Sequence, residues 1–130
     1  MIVLDASAVV ELLLGSPRGA MVRARIQRPD ESLHAPHLLD VEVASVLRRY
    51  HLSGEISDDE GREALADLAG LDIARYPHDP LLPRVWELRR SVTAYDAVYL
   101  ALAEVLEAPL LTLDRRLARA RGHGARVEAP

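Results

Sequence analysis

Short apolar runs alternate with amphipathic segments along the whole chain, and this order restricts the fold more than any other feature. Ile2-Val3-Leu4 reads as a buried strand, and Ser7 to Leu14 continues as a helix that Gly15 stops. Pro17 to Gln27 reads as a second helix, and Ser32 to Ala35 as a short strand closed by Pro36. Leu38 to His51 is a stronger helix, because Leu39, Val43, Val46, Leu47 and Tyr50 repeat at the spacing of one buried stripe. Gly54 ends it, and Ser57-Asp58-Asp59-Glu60 opens the next helix with the form of a capping box. Leu71 to Tyr76 reads as a strand, with Pro77 and Pro80 in the turn behind it. Helices are expected over Leu82 to Ser91 and from the Thr93 cap to Leu106. Pro109 to Leu113 reads as a buried strand, Arg115 to Arg121 as a short helix, and Ala125 to Val127 as a last edge strand. This alternation predicts an α/β domain: a mainly parallel sheet of roughly five strands with helices on both faces. Ligand sites in such sheets lie beyond the carboxyl ends of the strands.

Composition narrows the chemistry. A length of 130 residues at 49% hydrophobic content fits one domain spanning 1–130. No repeat or linker-like run divides it. The absence of cysteine excludes disulfides and thiolate metal sites. All 16 basic residues are Arg, so a Walker-A phosphate loop and any lysine-based catalysis are excluded. A net charge of −4 argues against a protein that grips nucleic acid through bulk positive charge. Met1 leads straight into a strand with no signal-like segment, and no apolar run is long enough to span a bilayer. A soluble cytoplasmic protein with no membrane contact is the expectation.

Four acids stand where acids are costly. Asp5 ends the first strand, and Asp114 stands in the same relation to Leu110-Leu113, so two strands deliver an Asp to one sheet edge. The plainer role for each is to cap the helix behind it. Glu42 lies at the border of the apolar stripe of its helix, near Val46 in angle; an ordinary half-exposed Glu near a helix start is the alternative. Asp40, its neighbour, lies off the stripe. Asp96 occupies the Glu position of a capping box begun by Thr93, but Tyr99, Leu100 and Ala103 share its face, which is therefore expected to be buried. Buried carboxylates brought together repel and are driven to protonate unless a cation joins them. Oxygen donors without Cys suit a hard ion such as Mg²⁺ or Mn²⁺. Such an ion can activate water in phosphodiester hydrolysis.

Val3-Leu4-Asp5-Ala6-Ser7, Glu42 to Arg49, Tyr95 to Ala103 and Leu111-Thr112-Leu113-Asp114 together resemble the PIN-domain nucleases. More narrowly, they resemble VapC-type toxins of bacterial toxin–antitoxin pairs, in order and spacing over essentially the whole chain. The resemblance implies a three-layer α/β/α fold and an acidic quartet of Asp5, Glu42, Asp96 and Asp114 around Mg²⁺ or Mn²⁺. Asp5, Glu42 and Asp96 stand as metal ligands, with Asp114 binding a second ion or orienting water. Ser7 and Thr112 match positions where a hydroxyl supports the acids. Arg115, Arg116 and Leu117 follow Asp114, where some relatives carry another acid. The resemblance also implies an endoribonuclease acting on tRNA, rRNA or mRNA. It implies a homodimer, neutralised by a VapB-type antitoxin whose Arg enters the acidic site and through which the toxin–antitoxin complex binds operator DNA.

Arg115, Arg116 and Arg119 could hold RNA phosphates beside the site, against the plainer reading of a solvated helix face. Arg48-Arg49 and Arg89-Arg90 read as solvated, His34 and His37 as surface or packing residues, and Tyr95 and Tyr99 as core. Two rival functions remain: a non-catalytic PIN-like interaction module, and a phosphatase on a related doubly wound fold. The phosphatase wants a second Asp where Ser7 stands, and a Lys that this chain lacks.

Overall fold

The computed structural model describes residues 1–130. Its central strand, β1 (Ile2–Leu4), is wholly buried. On one side lie β2 (Leu33–Pro36) and β3 (Ile73–Tyr76), and on the other β4 (Leu110–Leu111) and β5 (Val127–Glu128). The sheet order is β3-β2-β1-β4-β5, with every pair parallel. Val3 stands between His34 of β2 and Leu110 of β4. The chain builds outward first through β2 and β3, then returns to build the other way through β4 and β5. The β1/β4 boundary is thus the topological switch point, where a parallel sheet leaves a crevice at its carboxyl edge.

Helices cover both faces, as the alternation predicts. α1 (Ala6–Leu14), α2 (Pro17–Ile26), α3 (Leu38–Leu52) and α4 (Asp58–Gly70) pack among themselves. α5 (Leu82–Glu87) packs on α6 (Ala94–Leu106), which crosses β1, β2 and β4. Val9, Leu39, Leu47, Leu100 and Leu111 meet in the core. Each such side chain contributes about 1.5–3 kcal/mol by leaving water. The Ser57/Glu60 capping box forms in both directions at the start of α4. α3 has no cap of its own; His78 reaches across and its Nε2 accepts the Leu38 N–H at 2.9 Å.

Several element ends differ from the sequence reading, and β3 starts at Ile73 rather than Leu71. After Glu87 the α ladder gives way to tighter bonds, Arg89 N–H to Trp86 and Ser91 N–H to Leu88, so α5 stops short of Ser91. β4 covers two residues of the expected five, because the Leu113 and Asp114 amides are drawn off the sheet by side-chain oxygens described below. α7 (Arg115–Ala118) ends before Gly122, whose φ of 85° reverses the chain. β5 falls at Val127–Glu128, where Arg25 donates to the Glu128 carboxylate at 2.6 Å. No helix is long and apolar enough to cross a membrane.

Candidate active site

Asp5 sits just past β1, 5% exposed, and caps α1. Its Oδ1 accepts the Ser7 hydroxyl at 2.7 Å and the Ala8 N–H at 3.1 Å. Its Oδ2 accepts the Thr112 hydroxyl at 2.6 Å. Each hydroxyl has one proton, so both are committed to Asp5, and the 3.3 Å approach of Ser7 to Thr112 carries none. The hydroxyl oxygens also accept: Ser7 Oγ from the Leu113 N–H, and Thr112 Oγ1 from the Asp114 N–H, both at 2.9 Å. Two amides of the loop behind β4 are thereby tied through two hydroxyls to one buried carboxylate. Ser7 and Thr112, the two hydroxyls at the positions the resemblance singled out, both donate to Asp5.

Asp114 lies on that loop and caps α7, accepting the Arg116 N–H at 2.9 Å and the Leu117 N–H at 3.4 Å through Oδ1. Both strand-end acids therefore do cap helices; capping and lining the site are not exclusive. Glu42, one turn into α3, accepts the Tyr99 hydroxyl at 2.6 Å. Tyr99 projects from α6 and is 2% exposed. The sequence places it in the core, where it is, but no periodicity shows that its hydroxyl holds an acid. Tyr95, also read as core, is 62% exposed, because it stands in the first turn of α6, where the helix overhangs the sheet. Thr93 caps the Asp96 N–H at 3.2 Å. The Asp96 carboxylate does not complete the box but faces the Arg116 guanidinium at 3.3 Å. Asp40 is engaged elsewhere, by Arg75 at 2.8 Å.

Asp5, Glu42, Asp96 and Asp114 all line one hollow of about 340 Å³ at the switch point. Of the three arginines read as substrate contacts, only Arg116 lines it. Arg115 and Arg119 point elsewhere, because α7 makes just over one turn beyond Asp114 and presents one face to the hollow. Arg18 and Arg49 line it instead. Arg18 donates to the Leu113 carbonyl at 2.6 Å. These two come from α2 and α3, and nothing local in the sequence marks them.

Electrostatics set the hollow apart. Burial pushes the Asp5 carboxyl above its ordinary 3.8, against the hydrogen bonds from Thr112, Ser7 and Ala8, with the Asp114 charge adding to the rise. Burial likewise raises Glu42; the Tyr99 hydrogen bond opposes this, and the charges of Asp96 and Asp5 add to it. Asp96 is raised by burial and by Asp114, and lowered by Arg116. The acids are short of positive charge, the condition in which a cation binds.

The donor set suits a hard divalent ion. After the contacts above, Glu42 Oε2, Asp96 Oδ1 and Asp114 Oδ2 have no hydrogen-bond donor. No buried side-chain oxygen or nitrogen lacks a partner, so these three oxygens are accessible. The acids share a hollow, yet no three acidic or imidazole side chains are drawn into a ready ligand set for one ion. The sequence reading expected them gathered more tightly. Mutual repulsion disfavours a closer set, and hydrogen bonds tie Asp5 to Ser7 and Thr112 and Glu42 to Tyr99.

The raised values fix a sign. A carboxyl whose folded pKa exceeds its unfolded one stabilises the fold only while protonated in both states, and that stability is lost as pH rises. Thermal unfolding in EDTA should therefore show the melting temperature falling as pH climbs from the ordinary 3.8 of Asp5 and Asp96 and 4.5 of Glu42 toward neutrality, through their raised values. Glu31, Glu104 and Glu128 are lowered by Arg25, Arg84 and Arg25 respectively, so their stability is lost in the opposite direction, below 4.5. A maximum on the acid side of neutrality is expected, and Mg²⁺ should flatten the neutral side. A curve that rose steadily to neutrality in EDTA would contradict the repulsion.

The PIN domain family model matches residues 2–123. Ribonuclease VapC1 of Mycobacterium tuberculosis is 50% identical over 121 residues, covering 92% of this chain and 90% of the relative. Ribonuclease VapC12 of the same organism is 44% identical over 128 residues, 98% of each. Among solved structures, VapBC2 from Rickettsia felis, bound to a DNA fragment from its promoter, superposes with a TM-score of 0.70. That match covers 99% of this chain and 98% of the other at 13% identity, a likeness of fold. With a family match across nearly all of the fold and these identities to VapC ribonucleases, the chain belongs to the PIN-domain family, on its VapC branch.

Proposed function

We propose that this chain is a VapC-type endoribonuclease that hydrolyses RNA phosphodiester bonds with Mg²⁺ or Mn²⁺ at the acidic hollow. The observation that supports it most is the convergence of four acids from four separate elements at the switch point, with three accessible oxygens lacking any donor. Asp5, Glu42, Asp96 and Asp114 would hold the ion, which supplies a Lewis acid for the phosphoryl oxygens and a lowered pKa for water.

The chain's own residues supply position. Asp5 is fixed at both oxygens and forms the rigid floor. Tyr99, on α6, fixes Glu42. Asp114, whose side chain is 36% exposed against 18% for Asp96, orients the attacking water. Arg116 partly neutralises Asp96 and Asp114 and offers a donor to the scissile phosphate. The pairing supports a guanidinium from a VapB-type antitoxin as the inhibiting group, since the hollow already accepts one from Arg116. A homodimer completes the reading.

Tyr99→Phe should lower cleavage by about 10- to 100-fold, the usual range for losing a group that orients a metal ligand. Its metal affinity, measured by Mn²⁺ titration, should weaken with it, while melting shifts little. Unchanged metal affinity would show that Glu42 needs no such support. The function itself is tested by expressing the chain alone in cells and sequencing new RNA ends. Discrete ends at a defined motif are expected from the parent and none from Asp96→Asn. Identical ends from both would refute an activity seated in this hollow.

A further inference from the structure

The arginines divide by partner. Arg25, Arg62, Arg75, Arg84, Arg116 and Arg126 pair with carboxylates, and the other ten do not. All the paired ones except Arg116 lie away from the acidic hollow. Two more hollows adjoin it. One, of about 330 Å³, is lined by Arg89 and Arg90 and shares both Asp96 and Arg116 with the acidic site. The other, of about 480 Å³, is lined by Arg119 and Arg121 and again by Arg116. Arg116 thus stands at the junction of all three. The side chains of Arg90, Arg119 and Arg121 make no hydrogen bond within the protein, and all three are exposed. Arg89 lies over the exposed Trp86 ring, 4.6 Å from its centroid.

In a protein of net charge −4, exposed arginines without a carboxylate partner, gathered beside the acidic site, make a local patch of positive charge that can receive an anion. We infer that the two arginine hollows form a phosphate-binding track that holds the RNA nucleotides flanking the scissile bond. The inference rests on the ribonuclease reading above. Arg116 hands the strand from the track to the acids. Arg90 and Arg119 hold successive phosphates, and the exposed Trp86 ring beside Arg89 offers a stacking surface. An acidic protein segment fits less well. Val92 and Ala120 are the only apolar residues in the two hollows, and a peptide needs larger apolar anchors than these.

The test is binding, measured by fluorescence anisotropy on the whole chain in EDTA so that nothing is cut. The probes are fluorescein-labelled oligouridylates of about 16 and about 4 nucleotides. Arg90→Ala/Arg119→Ala removes one cation from each hollow. Arg23→Ala/Arg28→Ala removes the same charge from unpaired arginines elsewhere. The first variant should weaken binding of the long oligonucleotide about tenfold and reduce the log–log salt slope by about 1.4, two contacts at ~0.7 each. The short one should bind it as it binds the parent, and the second variant should match the parent on both. Equal losses from both variants would reduce the effect to bulk charge, and no loss from the first would remove the track, while the ribonuclease reading stands in either case. A parent that binds neither probe would also remove the track, and the ribonuclease reading is then judged separately by cation-dependent cleavage of total RNA. Tighter binding of labelled decaglutamate than of the long oligonucleotide, lost in Arg90→Ala/Arg119→Ala, would assign the hollows to an acidic protein partner instead.

Discussion

Asp5→Asn should abolish RNA cleavage and leave the fold standing. Losing one carboxylate of a cation site forfeits several kcal/mol of transition-state stabilisation, at least about 10³-fold in rate. The fold survives because Asn fits the same hydrogen bonds. Its oxygen keeps the Ser7 hydroxyl and the Ala8 N–H. Its amide then donates to Thr112 Oγ1, and the displaced Thr112 proton turns to Ser7 Oγ, already 3.3 Å away. A buried charge raised by burial is also gone, so melting in EDTA at neutral pH should hold or rise. Asp5→Ala is the poorer choice, since it strands both hydroxyls. Circular dichroism melts beside cleavage assays would check both halves. Lost activity with a collapsed melt would show that Asp5 is structural first.

Gly19→Ala should be the most destabilising alanine substitution among the seven glycines. A Cβ there would lie 2.0 Å from the Glu11 carbonyl oxygen, 2.6 Å from its carbon and 3.0 Å from the Leu12 nitrogen. All three are backbone atoms of α1, so no rotamer relieves the clash and the two helices must part. Alanine's better helix propensity returns about 1 kcal/mol, while overpacking against backbone costs about 3 kcal/mol or more. The net loss lowers the melting temperature by roughly 10 °C. Activity should fall with it, because α2 also carries Arg18, which holds the Leu113 carbonyl beside Asp114. Gly70→Ala, at the end of α4 with nothing within 4 Å of its Cβ, is the matched control and should be neutral or stabilising. Equal melts for the two variants would show that α1 and α2 are less closely held.

Much of this was legible in the sequence because it is local. Ile2–Leu4 is a strand by composition and length, Ser57/Glu60 is a capping box by spacing, and Gly15 stops its helix at φ 68°. Asp5 and Asp114 could be placed at one sheet edge because strand ends in a parallel sheet share an edge. What was not legible depends on pairs far apart in the chain. Thr112 reaches Asp5 across 107 residues and Tyr99 reaches Glu42 across 57, and periodicity assigns a face but not a partner. The β4 ending was misjudged for the same reason: residues 109–113 have strand composition, but side-chain oxygens from the site claim the last amides. Of the arginines that follow Asp114 only Arg116 lines the acidic hollow, because adjacency in sequence is not adjacency in space; Arg18 and Arg49 arrive from other helices.

The most direct test of a cation-dependent ribonuclease seated on these four acids is a cleavage assay on total RNA. The chain is purified free of contaminating nuclease, stripped with EDTA and then titrated with Mg²⁺ or Mn²⁺. Discrete fragments should appear only after the ion is added and should be absent throughout from Asp5→Asn. Cleavage that persists in EDTA, or that Asp5→Asn performs as fast as the parent, would contradict it.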